Sequence, residues 1–314
     1  MNKPLTAVDT DRHATYVPAF TLEPEKRAAV VNERPQVQAP NFINDIAAGK
    51  VELPTIPRVV QQLIVALRNP DVDARKIGET LSKDPVLSAK VLRLANSSFF
   101  GGQRSMASID AAVALIGVAA LNRLIVACGV AQSFAAIPGI DLPGFWRDSL
   151  VAATAAQKLA QRLGADAEGA YICGLLHATG HLILCQTYPE IAKAMFEGFA
   201  TVRGAELATI ESESFGIDHP NVGALWAETL GFPQEVADTI RKAVQPPAAN
   251  DVPLDHVLRG ACMLARAVAE KAEGAAAWTE LPEPVRAKYG GASGTPDSAF
   301  DKLYEGLQET EPTF

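Results

Sequence analysis

The sequence predicts an all-α protein, and three observations carry that reading. From Phe42 onward apolar residues recur at helical spacing. Capping residues and prolines punctuate that pattern at intervals suited to helices. No segment combines period-two alternation with the β-branched or aromatic enrichment that strands need. The chain has 314 residues, 48% of them hydrophobic and 20% charged. That apolar share is enough to build a core, and the length suits about two domains of roughly 150 residues each.

The elements follow in order. Residues 1–41 hold Pro4, Pro18, Pro24, Pro35 and Pro40, charges of both signs and no sustained period, which predicts a flexible arm. Val59, Leu63, Leu67 and Val60, Ile64 follow the i, i+4 rule, and Asn69-Pro70 is the expected stop. Asp84-Pro85 reads as an N-cap with proline in the first turn, opening a helix with Leu87, Val91, Leu94 and Ala95 on one face and Lys90 and Arg93 on the other. Ser97-Ser98 and Gly101-Gly102 end it. Ser108 caps a helix ending near Gly117, and another runs from about Ala119 to Phe134. Ile137-Pro138-Gly139 and Leu142-Pro143-Gly144 bracket the best internal boundary. Beyond it the pattern predicts a helix from Phe145 to Leu163, closed by Gly164, and one continuous helix from about Ala167 to Gln186. Pro189, Pro220 and Pro233 look like first-turn prolines, and Gly231 sits where a C-terminal cap would. Past Lys271 the signal weakens to a loosely ordered tail with one short helix around Ser298 to Leu307.

Composition excludes several classes of function. Ala111 to Leu121 and Leu124 to Ala131 are apolar, but Asn122 and Arg123 separate them and Asp110 and Gln132 bound them. A charge at the centre of a span costs roughly 2.5–3.5 kcal/mol, so two buried helices are expected and no membrane segment. The N-terminus has no apolar run, so no secretory signal is expected. The four cysteines, Cys128, Cys173, Cys185 and Cys262, form no Cys-x-x-Cys pair and suggest reduced core thiols in a cytoplasmic protein. They show no histidine on a matching face. The net charge is −8, with residues 41–140 at +3 and everything beyond residue 140 at −11. An acidic chain repels a phosphate backbone, which argues against nucleic acid as partner. No phosphate-cradling glycine motif is present. Trp146 and Trp226 sit among aliphatic residues as core.

Two segments could carry chemistry. In Gly174-Leu175-Leu176-His177-Ala178-Thr179-Gly180-His181 two imidazoles lie four residues apart. On an unbroken helix they would share a face and could reach one metal ion. Alternatively His177 is a core histidine and His181 favours a helix end. The zinc-protease motif requires a glutamate after the first histidine, and Ala178 cannot accept a proton. The second segment is Phe215-Gly216-Ile217-Asp218-His219-Pro220-Asn221-Val222-Gly223, where Asp218 is a plausible N-cap.

These blocks together resemble an HDOD domain. Asp84-Pro85-Val86-Leu87, Leu92-Arg93-Leu94-Ala95-Asn96-Ser97 and Ser108-Ile109-Asp110-Ala111-Ala112 look like its first half. Phe145-Trp146-Arg147, Gly174-Leu175-Leu176-His177 and Phe215 to Gly223 look like its second, in the same order. The resemblance runs from about Phe42 to about Lys271. It implies a two-lobed helical HDOD fold over 42–272, with a helical lobe at 42–138 and an HD-like helical bundle at 140–272, flanked by the arm at 1–41 and the tail at 273–314. HDOD domains are related to the HD metal phosphohydrolases and largely serve as output or interaction modules of bacterial signalling. Many have lost the metal set.

Carried over by position, the metal set is eroded. Asp148 stands where the family often has histidine. The His-Asp pair reads His177-Ala178, which removes the metal-bridging carboxylate. His181 stands where lysine is expected, His219 is kept, and Arg241-Lys242 replaces what is often a histidine pair. No cofactor is expected. A metal, if held, would be iron, manganese or zinc on Asp148, His177 and His219. The resemblance thus implies a non-enzymatic regulatory module whose partners are signalling proteins, with Asp148, His177, His181 and His219 as a vestigial site. Two alternatives stand beside it. One is a metal-dependent phosphohydrolase of nucleotides or cyclic dinucleotides. The other is a nucleotide-binding sensor without turnover, with Lys83, Lys90, Arg93 and Arg104 contacting phosphate.

Overall fold

Residues 41–66, 81, 84–97, 106–199, 203–291 and 294–309 are described by the computed structural model, and among them all regular structure is helical apart from one isolated bridge between Gly290 and Pro296. The predicted arm lies outside the described residues except for Asn41, as do the expected stops at Asn69-Pro70 and Gly101-Gly102.

The first helices are α1 (Phe42–Ala47), α2 (Arg58–Ala66), α3 (Pro85–Ala95) and α4 (Ile109–Gln132). Asp84 caps α3 by accepting from the Leu87 amide at 2.9 Å, and Ser108 caps α4 by accepting from the Ala111 amide at 3.1 Å. The Asn96 side chain both donates to and accepts from the Met106 backbone, which pins the end of α3 to the start of α4. Gly117 sits inside α4 at φ 81° and ψ 164°. Only glycine enters that region at low cost, so the predicted break between two helices is real. By length and composition 109–132 is the one described helix apolar enough to cross a membrane. The break at Gly117 leaves it short of the roughly 20 consecutive residues a span needs, and Leu121 and Leu124 to Val130 are buried against protein.

The remaining helices are α5 (Leu142–Leu163), α6 (Ala167–Leu176), α7 (Thr179–Thr187), α8 (Pro189–Phe199), α9 (Gly204–Phe215), α10 (His219–Thr229), α11 (Gln234–Arg241), α12 (Pro253–Ala269), α13 (Gly274–Glu280), α14 (Glu283–Tyr289) and α15 (Ser298–Gln308). At the centre α5 packs between α6 and α12. A Cβ on Gly174 would stand 2.6 Å from Ala153 Cα, so glycine and alanine let α5 and α6 approach almost backbone to backbone. The α4 end is anchored on this bundle by aromatic packing. Phe134 lies 5.7 Å from Trp146 and 5.4 Å from Trp226, and Trp226 Nε1 donates to the Pro54 carbonyl at 2.7 Å. Both tryptophans are core, as their sequence setting predicts. Arg123 of α4 meets Glu168 of α6 at 2.6 Å and lies over the Tyr171 ring.

Two expectations need correction. The helix predicted across 167–186 is two helices, broken at His177-Ala178. Gly180, in the first turn of α7, approaches α10 so closely that a Cβ there would lie 2.0 Å from the His219 carbonyl oxygen. That contact sets a new helix direction. The C-terminal tail is also not loosely ordered over 273–308. Trp278, Val285, Tyr289, Phe300, Leu303, Tyr304 and Leu307 are buried, α13 to α15 pack on α12, and α14 and α15 reach α5. The helix predicted around Ser298 to Leu307 is present as α15, whereas α13 and α14, of seven residues each, are too short to show a sustained period. Together the three helices build a small aromatic core around Phe300, 5.1 Å from Trp278 and 6.3 Å from Tyr289.

Candidate functional site

The break at the end of α6 decides where the histidines go. Because α6 stops at Leu176, His177 and His181 no longer share a helix face, and the one-metal reading of that pair fails on geometry. They belong to two separate clusters.

The first cluster is half open. His177 Nδ1 donates to the Gly174 carbonyl at 2.7 Å, which fixes the ring. Its other partner is the thiol of Cys262 on α12. Burial opposes protonation of this imidazole. Cys262, the Gly174 carbonyl and Asp148 outweigh it and hold the ring above its ordinary range, at about 9. Asp148, on α5, pairs with its neighbour Arg147 at 3.1 Å. Partial burial pushes its carboxyl up, against the pull of Arg147, Arg203 and His177.

The second cluster is sealed. Glu211 of α9 is fully buried. One carboxylate oxygen accepts from His181 Nδ1 at 2.7 Å. The other accepts from the His219 Nδ1 at 2.5 Å and from the His219 backbone amide at 2.8 Å. That amide belongs to the first turn of α10, where the helix dipole favours a negative charge, and Asp218 caps the same turn as predicted. Burial pushes the Glu211 carboxyl up, but the two imidazoles outweigh it and hold the group at about 2. Cys185 Sγ lies 3.7 Å from His181 Nε2, and burial pushes that thiol up. The expectation that no histidine faces a cysteine is therefore wrong twice, at Cys185 with His181 and at Cys262 with His177.

The structure thus couples Asp148 with His177, while His181 and His219 share a different partner, Glu211. Lys90 and Arg93 lie on α3, where their charges reach Cys128 of α4, and no contact joins them to the histidines. Lys83 and Arg104 lie outside the described residues. Arg241 pairs with Glu228 and Asp238, and Lys242 meets the buried Asp255 at 2.7 Å, so both serve as ion-pair partners. Glu211 is the residue sequence reasoning missed. The available signal was its register, since it shares the buried face of α9 with Leu207, Ala208, Ser214 and Phe215.

These donors do not fit a metal. His219 and His177 are oriented through Nδ1 by Glu211 and by a carbonyl, which leaves the Nε2 of His219 uncommitted among the described residues. Cys262, however, is the other partner of His177, and Ala178 offers no ligand. Among the described residues no group of three or more His, Cys, Asp or Glu side chains is arranged to hold an ion. A cavity of about 390 Å³ opens elsewhere, between residues 45–54, Ser133 and the Ile183–Tyr188 end of α7. Its wall is tied by the Tyr188 hydroxyl, which donates to Asp45 at 2.9 Å.

Comparison with known proteins completes the description. The HDOD domain family matches residues 53–246. A curated relative from Treponema pallidum (strain Nichols), named "Uncharacterized protein", is 27% identical over 208 residues. The match covers 66% of this chain and 40% of that relative, so the chain spans about two fifths of the relative's length. A crystal structure from Shewanella amazonensis SB2B, of a protein named "Putative phosphohydrolase", aligns with a TM-score of 0.68 at 29% identity, covering 85% of this chain and 96% of that one. An HDOD domain protein with unknown function from Geobacter sulfurreducens aligns with a TM-score of 0.63 at 20% identity, covering 91% and 99%, a likeness of fold.

Proposed function

The chain belongs to the HDOD family, and on that footing we propose that it is a non-enzymatic regulatory module of bacterial signal transduction, working in the cytoplasm by binding rather than by turnover. One observation carries the reading. Ala178 stands where the bridging carboxylate would be, and among the described residues no three His, Cys, Asp or Glu side chains are gathered to hold an ion. The alanine removes, among the described residues, the carboxylate that would hold and deprotonate an attacking water.

Binding then falls to the groove between the first helices and α7. Its mixture of Asp45, Lys50, Glu52, Ser133, Gln186 and Tyr188 suits a polar peptide segment of a signalling partner, and its size lies in the usual range for small-ligand sites. The N-terminal residues precede α1, whose Asp45 lines that groove, so the arm is well placed in sequence to modulate it.

A second reading is favoured by the name of the Shewanella protein, which at 29% identity keeps metal-dependent phosphohydrolysis in view. Metal analysis of the purified protein, with turnover assays on nucleotides and cyclic dinucleotides, separates the two. The regulatory reading expects substoichiometric metal and no product. Stoichiometric iron, manganese or zinc, with turnover lost in His177→Ala, would overturn it. Ligand-induced thermal stabilisation without product would instead mark a nucleotide sensor.

A further inference from the structure

The C-terminal helices create an open surface depression that the histidine clusters do not touch. It has a volume of about 420 Å³ and lies between α5, α14 and α15, lined by Lys158, Gln161, Arg162, Tyr289, Lys302 and Leu303. Three of these residues are cations, while residues 251–314 as a whole carry a charge of −5.

The three are not equivalent. Arg162 is locked. Its Nε donates to the Lys288 carbonyl at 3.0 Å, its Nη2 meets Asp297 at 2.7 Å, and its guanidinium lies 5.0 Å from the Tyr289 ring centroid. Tyr289 is itself buried, and its hydroxyl donates to the Lys158 carbonyl at 3.3 Å. Arg162 and Tyr289 therefore form a rigid wall whose conformational cost is met on folding. Asp297 is occupied, since it also caps α15. Lys158 and Lys302 are different, because neither ammonium pairs with a carboxylate among the described residues. Asp301 and Glu305 flank Lys302 on α15 without forming an ion pair with it. Gly306 leaves room above Lys158, where a Cβ would stand 3.9 Å from Nζ.

Two lysines without a carboxylate partner among the described residues line one depression, and a multiply charged anion seated there would accept charge-assisted hydrogen bonds from both. We propose that this pocket binds the phosphate monoester group of a small ligand, with Lys158 and Lys302 as its cationic contacts, the Arg162–Tyr289 wall as support, and Leu303 and Ala299 against the ligand's less polar part. The site is separate from the His177 corner. Lys158 lies ten residues beyond Asp148 on α5, about 15 Å along the helix at 1.5 Å per residue. The proposal does not depend on the regulatory reading, and its variants leave every histidine in place.

The test is calorimetric titration of the full chain at fixed ionic strength with inorganic phosphate and with a nucleoside 5′-monophosphate, the unphosphorylated nucleoside serving as control. The expected result is saturable binding of the phosphorylated probes and none of the nucleoside. Lys158→Gln and Lys302→Gln should each weaken it about tenfold, as expected for loss of one charge-assisted contact. Equal affinity for the two probes identifies free phosphate as the ligand, and tighter binding of the monophosphate identifies a phosphorylated metabolite. Both lysines are exposed, and unchanged thermal melting verifies that the variants fold. Absence of saturable binding, or binding that survives the double substitution, overturns the proposal.

Discussion

Two histidine clusters sit within one helical bundle and are built on opposite rules. Around Glu211 both carboxylate oxygens are answered. Two Nδ1 donors and one backbone amide meet two carboxylate oxygens, with the carboxylate fully buried. Around His177 the ring is fixed on one side by a carbonyl, while its electrostatic partners Cys262 and Asp148 are half-buried or exposed. A closed polar network rigidifies a core and is costly to breach. An open one has groups left to offer a ligand. The difference teaches that His219 serves architecture, since its contacts join α7, α9 and α10, whereas His177 belongs to the cluster with an open side.

The strongest way to break this comparison is to remove the shared carboxylate. Glu211→Ala leaves a buried imidazole, a partly buried one and a helix-start amide without their acceptor, and breaking a buried charged network by deleting one partner costs about 3–5 kcal/mol. Denaturant unfolding measures it, and a loss under 1 kcal/mol would show that the network is not structural. The pH dependence has a definite sign. The Glu211 carboxyl is held at about 2, below its usual 4.5, so its stabilisation is fully present above pH 4.5 and disappears as the pH falls toward 2. Glu211→Gln should remove that acid-dependent component.

Gly180→Ala attacks the same cluster through the backbone. The new methyl would meet the His219 carbonyl oxygen at 2.0 Å, and since backbone must shift to admit it, a loss of about 1–3 kcal/mol is expected. The comparison substitution is Gly164→Ala at the end of α5. No atom there lies within 4 Å of an added Cβ, and only the left-handed backbone, at φ 74°, opposes it. A smaller loss there, by thermal melting, would separate collision from conformational strain.

What the sequence made legible tracks the range of the physics involved. Caps at Asp84, Ser108 and Asp218 and the break at Gly117 are local events, governed by a residue and its neighbours three or four positions away, and all were readable. Trp146 and Trp226 were readable as core from their aliphatic surroundings. The break at Ala178 was not, because its cause is the approach of Gly180 to a carbonyl 39 positions away. Glu211 was not, because Glu211-Ser212-Glu213-Ser214 looks like a solvated helix face until its register with Leu207 and Phe215 is considered. The C-terminal core escaped for a third reason. Trp278, Tyr289 and Phe300 each belong to a different short helix, so the cluster has no sequence period at all.

The open cluster is sharpened by titration. His177 is held at about 9, above its ordinary 6.5. A raised folded-state value means that the protonated ring contributes stability in full below pH 6.5, and that this contribution is lost as the pH rises through 9. His177→Gln should therefore flatten the stability profile over that interval while leaving the acid limb set by Glu211 unchanged. A profile that still declines equally between pH 6.5 and 9 would move the titrating group elsewhere.

The smallest effect is expected at Asp148, and it is the most discriminating. The side chain is 46% exposed and its ion pair with Arg147 lies at the surface. Exposed pairs contribute about 0–1 kcal/mol, so Asp148→Asn should hardly change unfolding. Asp148 is nonetheless one of the charges that raise His177, and its neutralisation should lower the imidazole titration midpoint measured by NMR. The Glu211 network should register no change. A midpoint that stays in place would mean that Cys262 and the Gly174 carbonyl alone set the ring's charge. Asp148 would then share the corner with His177 without any part in its electrostatics.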